Sequence, residues 1–223
     1  MPLPDLLDRL ARHHGEPRAP RGVDPFEMIL LESLAYLASD DRREGAFREL
    51  KKRVGTRPEE ILAAPIRTLQ EVAAMGGIIA GERAERLRDI ATLAIEEFDG
   101  DLRPVLRRPL AKARRALKGF PSIGDPGAEK ILLFAGAHPV LALDSNALRV
   151  LVRLGYGRER KSYSATYRSA QEAAAKESRA ECAWLVRAHQ LLRRHGQETC
   201  RRSTPECGEC PLARDCAYYR ARA

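Results

Sequence analysis

The chain has 223 residues, 44% of them hydrophobic and 31% charged, and a formal net charge of +8, a composition that fits one large or two small globular domains with a core of their own. No run of about 18 apolar residues is present, which removes a membrane-spanning helix and a membrane partner from the reading. The N-terminal "MPLPDLLDRLARHH" carries acids through its apolar pattern instead of the unbroken apolar core of a secretory signal, so a cytoplasmic location is expected.

Taken in order, the segments repeat apolar residues at three and four spacings, with almost no alternation of β-branched residues. Helices are expected over "LPDLLDRLARHH", over "DPFEMILLESLAYLAS" with its Asp-Pro start, and over "REGAFRELKKRVG". They continue through "TRPEEILAA", "PIRTLQEVAAMG", "AGERAERLRDIATLAIEEFDG", "PLAKARRALKGF" and "GAEKILLFAG". The last group is "DSNALRVLVRLG", "SYSATYRSAQEAAAKE" and "RAECAWLVRAHQLLRRHG". The fold class is therefore all-α, with about ten helices joined by short Gly- and Pro-marked connections. Residues 149–223 hold sixteen Lys and Arg against eight Asp and Glu, so the whole charge excess lies in the last third. A solvated basic surface and a footprint for nucleic acid both fit that asymmetry.

"FPSIGDPGAEK", residues 120–130, has the glycine-rich build of a turn that offers backbone N–H groups to a phosphate at a helix start. Asp125 competes for those donors, and Asp125 followed by Pro126 reads as an N-cap and first helical residue. Four of the five cysteines crowd the C-terminal region as Cys200, Cys207, Cys210 and Cys216, spaced C-x6-C-x2-C-x5-C. In a reducing compartment such crowding points to a metal centre. One CxxC flanked by longer loops suits a cubane iron-sulfur cluster, and zinc is the alternative. Cys182 stands apart in "ECAWLV" and is expected to be a buried small hydrophobe.

These features together resemble the endonuclease III branch of the helix-hairpin-helix (HhH-GPD) DNA glycosylases. The cysteine spacing matches the family's cluster loop, "HGQETC" its entry, "PFEMILLESLAYLASD" the first barrel helix, "FPSIGDPGA" the hairpin, and "AHPVLALDSNALRV" the stretch bearing the catalytic aspartate. The resemblance implies a six-helix barrel domain over 25–135, with the hairpin at about 113–135. It also implies a [4Fe-4S] cluster domain made of 1–24 and 136–223, with the four cysteines as ligands. The partner would be double-stranded DNA holding a damaged or mismatched base, met by a monomer associated with the nucleoid.

Carried over residue by residue, the resemblance makes Asp144 the catalytic aspartate, whose fixed carboxylate stabilises the positive charge that builds on the sugar. Capping the following helix is its alternative role. Glu32 aligns with the glutamate that protonates the leaving base in mismatch-adenine glycosylases, although Tyr36, Leu37 and Ala38 replace the Gln-Gln-Thr that follows there. Pro126 occupies the position of the lysine that forms a Schiff base in strand-cutting members, and a chain-internal proline nitrogen is an amide that cannot act as that amine. Lys130, about 6 Å further along a helix, is the alternative lysine. Ser122, Gly124 and Gly127 are the hairpin positions expected at DNA, Ser122 replacing a glycine. Ile78 or Ile79 in "GGIIAG" is the candidate wedge that fills the gap of a flipped base, Tyr36 a candidate wall of the base pocket, and Arg201 and Arg202 candidate phosphate contacts.

Three functions follow in order. The first is a monofunctional glycosylase of base excision repair. The second is a bifunctional glycosylase and AP lyase using another lysine, and the third is a DNA-binding protein with reduced catalysis.

Overall fold

The structure, a computed structural model, describes residues 1–18, 23–34 and 40–222. Every regular element among them is a helix. The chain divides into two compact units, one made of Gly22–Ala135 and the other of Met1–Arg21 with Gly136–Ala223.

The first unit holds α2 (Pro25–Leu34), α3 (Asp40–Arg53), α4 (Pro58–Ala63), α5 (Ile66–Met75), α6 (Ala80–Phe98), α7 (Arg103–Leu106), α8 (Leu110–Leu117) and α9 (Asp125–Phe134). The Asp-Pro start of α2 behaves as its sequence suggests, Asp24 Oδ1 accepting from Phe26 N and Glu27 N at 2.9 and 3.1 Å. Helix α6 packs against α2, α4 and α5, and α9 against α2 and α8. Ile29, Leu30, Leu50, Leu69, Leu87 and Leu132 close fully around one another in a single apolar core.

The second unit joins α1 (Leu3–His14) to α10 (Ser145–Leu154), α11 (Tyr163–Ala175), α12 (Cys182–Glu198), a 3-10 turn at Ala213–Asp215 and α13 (Ala217–Arg220). Helix α12 packs on both α1 and α10. Its Gly196 passes so close to α10 that a Cβ there would lie 2.7 Å from the Asn146 carbonyl oxygen.

Two differences from the sequence expectations have simple causes. The one-turn helices α7 and α13 are too short for any periodicity to register. At α9 the N-cap is Gly124, one residue earlier than the Asp-Pro reading placed it, and no side chain caps the helix. Asp125 sits inside the first turn, and its carboxylate turns to side-chain cations instead.

Candidate active site and cysteine loop

Asp144 closes an extended, buried segment whose backbone is satisfied by side chains from α11 and α12. Gln171 Nε2 donates to the Leu141 carbonyl at 2.9 Å, His189 Nδ1 meets the Ala142 carbonyl at 2.8 Å, and the Leu143 N–H donates to Tyr167 Oη at 3.4 Å. Leu141, Ala142 and Leu143 are buried, so these bonds replace water that the segment has lost. Asp144 then caps α10, its Oδ1 accepting from Ala147 N at 2.7 Å. Asn146 Nδ2 lies 3.4 Å from Oδ2, and Arg193 Nε of α12 pairs with the same oxygen at 3.0 Å. The sequence reading found the aspartate and its cap but not Gln171, His189, Tyr167 or Arg193. A legible signal existed: His189 and Arg193 are one turn apart on α12, so a polar residue on a helix edge recurs where α12 meets this segment.

In the other unit, Glu32 and Lys130 come together. Lys130 Nζ lies 2.6 Å from Glu32 Oε1, and Arg43 Nη1 lies 3.5 Å from the same atom. Lys130 also sits over the Phe134 ring, 5.8 Å from its centroid. The roles the sequence offered these two residues, a proton donor and a nucleophilic amine, therefore fall on side chains in direct contact with each other.

Helices α8 and α9 are laced by a second set of pairs. Lys118 Nζ lies 2.7 Å from Asp125 Oδ1, with Arg114 Nε at 3.9 Å. Arg114 Nη1 reaches Glu129 at 2.7 Å, and the Glu129 side chain is only 1% exposed. Ser122 in the connection has φ 67°, the left-handed conformation a glycine takes at no cost. Pro126 lies in the first turn of α9. Gly127 is also in α9, and a Cβ there would only touch Ile123 at an ordinary 3.5 Å.

The four C-terminal cysteines line one recess together with Arg153 and Tyr218. Arg153 Nη1 donates to Cys200 Sγ at 3.3 Å, and Cys216 Sγ donates to the Arg153 carbonyl at 3.4 Å. Burial, with the other cysteines adding to it, pushes the Cys210 thiol up to about 11. Its sulfur lies 3.5 Å from Nε2 of His195, which burial first and the neighbouring His14 and His13 next push down to about 3. Among the described residues no three His, Cys, Asp or Glu side chains are gathered closely enough for a single metal ion. Four thiols around one recess form a soft donor set of the kind that holds a metal centre. Cys182, expected to be a buried small hydrophobe, is only partly buried at the start of α12, and burial raises its thiol.

No family model matches the chain. Endonuclease III of Bacillus subtilis is 26% identical over 193 residues, covering 86% of this chain and 81% of its own length. A trapped endonuclease III–DNA covalent intermediate superposes with a TM-score of 0.77 at 21% identity, covering 100% of this chain and 99% of its own. A thermostable thymine-DNA glycosylase gives 0.77 at 18% identity, covering 98% and 97%. By sequence and by fold this chain is similar to the endonuclease III-like helix-hairpin-helix DNA glycosylases. Its all-helical architecture is the HhH-GPD fold.

Within that fold the α8–α9 pair carries the residues read as the hairpin, and the turn between α5 and α6 carries those read as the wedge. Ile78 and Ile79 are 82% and 51% exposed there. Ile79 has φ 58° and ψ 45°, a left-handed conformation that a β-branched residue adopts only under constraint. Buried Arg83 ties the start of this turn to α2: its Nη1 donates to the carbonyls of Gly76 and Leu34, both at 2.9 Å. In the cysteine loop, Arg153 holds the carbonyls of Arg201 and Arg202 at 2.8 and 3.0 Å. The Arg201 side chain pairs with Glu206 at 3.0 Å, and the Arg202 side chain is exposed. Tyr36 lies outside the described residues.

Proposed function

We propose that the protein is a base-excision repair glycosylase that hydrolyses the N-glycosidic bond of a damaged or mispaired base in double-stranded DNA and leaves the strand uncut. The observation that carries the second half is the state of the amines on α9. Pro126 stands at the Schiff-base position, and Lys130, the one lysine of that helix, is bound to Glu32. The first half rests on the superfamily and on Asp144, a carboxylate fixed by its cap at the start of α10.

In this reading Asp144 stabilises the positive charge of the sugar as the base departs and orients the water that replaces it. Glu32 holds Lys130 as an ammonium and donates no proton. Ile78 and Ile79 enter the base stack, and Arg202 meets backbone phosphate. Cys200, Cys207, Cys210 and Cys216 hold a [4Fe-4S] cluster, which would fix the path of the basic loop. Visible brown absorbance with iron and labile sulfide in equal amounts is expected of the purified protein; colourless protein containing zinc would replace the cluster assignment.

The deciding experiment is a panel of duplexes with different lesions and mismatches, assayed for abasic sites with and without alkaline cleavage. Excision revealed only after alkali is expected. Strand cutting without alkali, with a borohydride-trapped adduct lost in Lys130→Ala, would instead establish the lyase. A second reading has its own support, the ion pairs on Asp144 and Asp125. Tight, salt-sensitive binding with no lesion excised would identify a DNA-binding protein with reduced catalysis.

A further inference from the structure

The carboxylate that the proposed chemistry needs is already occupied by a cation. Arg193 pairs with Asp144 through Nε at 3.0 Å, the two side chains being 18% and 27% exposed. Gln197, one turn further along α12, accepts from Arg193 Nη1 at 3.3 Å and steadies the guanidinium. A fixed cation in contact with Asp144 cancels most of the field with which that carboxylate would stabilise a positively charged sugar. Excision through Asp144 therefore requires the guanidinium to be elsewhere when the base leaves.

Asp144 does not depend on Arg193 to stay in place. Its Oδ1 is held by Ala147 N at 2.7 Å and its Oδ2 lies 3.4 Å from Asn146 Nδ2. Withdrawal of the guanidinium leaves the carboxylate capped and satisfied. The guanidinium keeps partial access to solvent, so an anion arriving from outside can compete for it. A phosphodiester offers a guanidinium the same planar pair of anionic oxygens as a carboxylate, and the positive end of α10 draws an anion to the same place.

We propose that Arg193 is a backbone-phosphate contact that rests on Asp144 in the free protein. A phosphate of the bound strand takes the guanidinium over and leaves Asp144 its full charge. The purpose of the exchange rests on the glycosylase reading; the exchange itself is read by binding alone.

The test is the affinity of the full-length protein for a fluorescent duplex across a salt series, for wild type, R193Q, R193K, D144N and the double variant D144N/R193Q, each checked for folding by thermal melting. In R193Q the slope of log K against log salt falls by about one, and R193K retains it. D144N frees the guanidinium and tightens binding about three- to tenfold, and that gain disappears when R193Q is added. An unchanged slope in R193Q overturns the proposal, as does a D144N gain of the same size with and without Arg193, which would be simple relief of charge repulsion. Wild-type protein that binds no duplex overturns it too. If R193Q does not fold, D144N decides: failure to tighten binding overturns the proposal. Should the coupling hold while no lesion is excised, the glycosylase reading fails and the phosphate contact stands.

Discussion

Asp125 and Asp144 both stand at the start of a helix after a buried apolar residue or tight turn, and they do opposite things. Asp144 is the N-cap of α10 and bonds the backbone of its own helix. Asp125 is one position further in, in the first turn of α9, and its carboxylate pairs with Lys118, just past the end of α8, and lies 3.9 Å from Arg114 of that helix. A single residue of register decides whether an acid completes a helix or neutralises its neighbours. For the hairpin the consequence is electrostatic: two of its cations, Lys118 and Arg114, are held by acids of the same hairpin, Asp125 and Glu129. In the unit that carries Asp144 the charge excess remains largely uncompensated, sixteen Lys and Arg against eight acids over residues 149–223.

That contrast is sharpest at Asp144 itself. Asp144→Asn keeps a capping side chain but removes the charge, and single-turnover excision is expected to fall by about 10²- to 10³-fold with little change in melting temperature. Excision at the wild-type rate in Asp144→Asn would make the residue a cap and nothing more.

The support beneath α10 comes next. Gly196→Ala places a Cβ 2.7 Å from the Asn146 carbonyl oxygen and 2.8 Å from its Cβ, and the two helices must separate at a cost of about 1–3 kcal/mol. Urea unfolding measures it; a wild-type midpoint would mean that α12 shifts freely and does not fix the start of α10.

At the hairpin the effect is a gain. Asp125→Asn releases Lys118, while Arg114 stays on Glu129, so duplex affinity at low salt should rise several-fold and its salt slope steepen by about one. Unaltered affinity would show that the hairpin lies away from the nucleic acid.

The smallest effect concerns the backbone. Ser122→Gly removes a left-handed serine and should stabilise the protein by about 1 kcal/mol. Ile79→Gly relieves the same kind of conformation and should stabilise similarly, yet lower excision, because the wedge is lost. Stabilisation without loss of excision would reassign Ile79 to a merely constrained turn.

Much of the site is legible in the sequence. The four cysteines lie close together along the chain, and an aspartate before "SNALRVLVRLG" is a cap by local rules alone. Helix periodicity marks every helix of eight residues or more. The hairpin start differs from its reading by one residue, because a Gly-Asp-Pro sequence satisfies local rules in two registers and only Lys118 and Arg114, across the hairpin, choose between them. Glu32 and Lys130 each stand out for separate roles. Nothing in the sequence shows that they meet, since they lie 98 residues apart on helices whose packing sets the distance.

The sequence by itself determined which of the longer helices form, where the clustered cysteines lie, that the positive charge gathers in the last third, and that no amine stands at position 126. Those properties depend on residue type and short spacing. The tertiary structure alone decided the state of each charged group: Lys130 on Glu32, Lys118 on Asp125, Arg193 on Asp144. An ion pair depends on a separation of a few ångströms between side chains from different helices, and only the packed core fixes that separation.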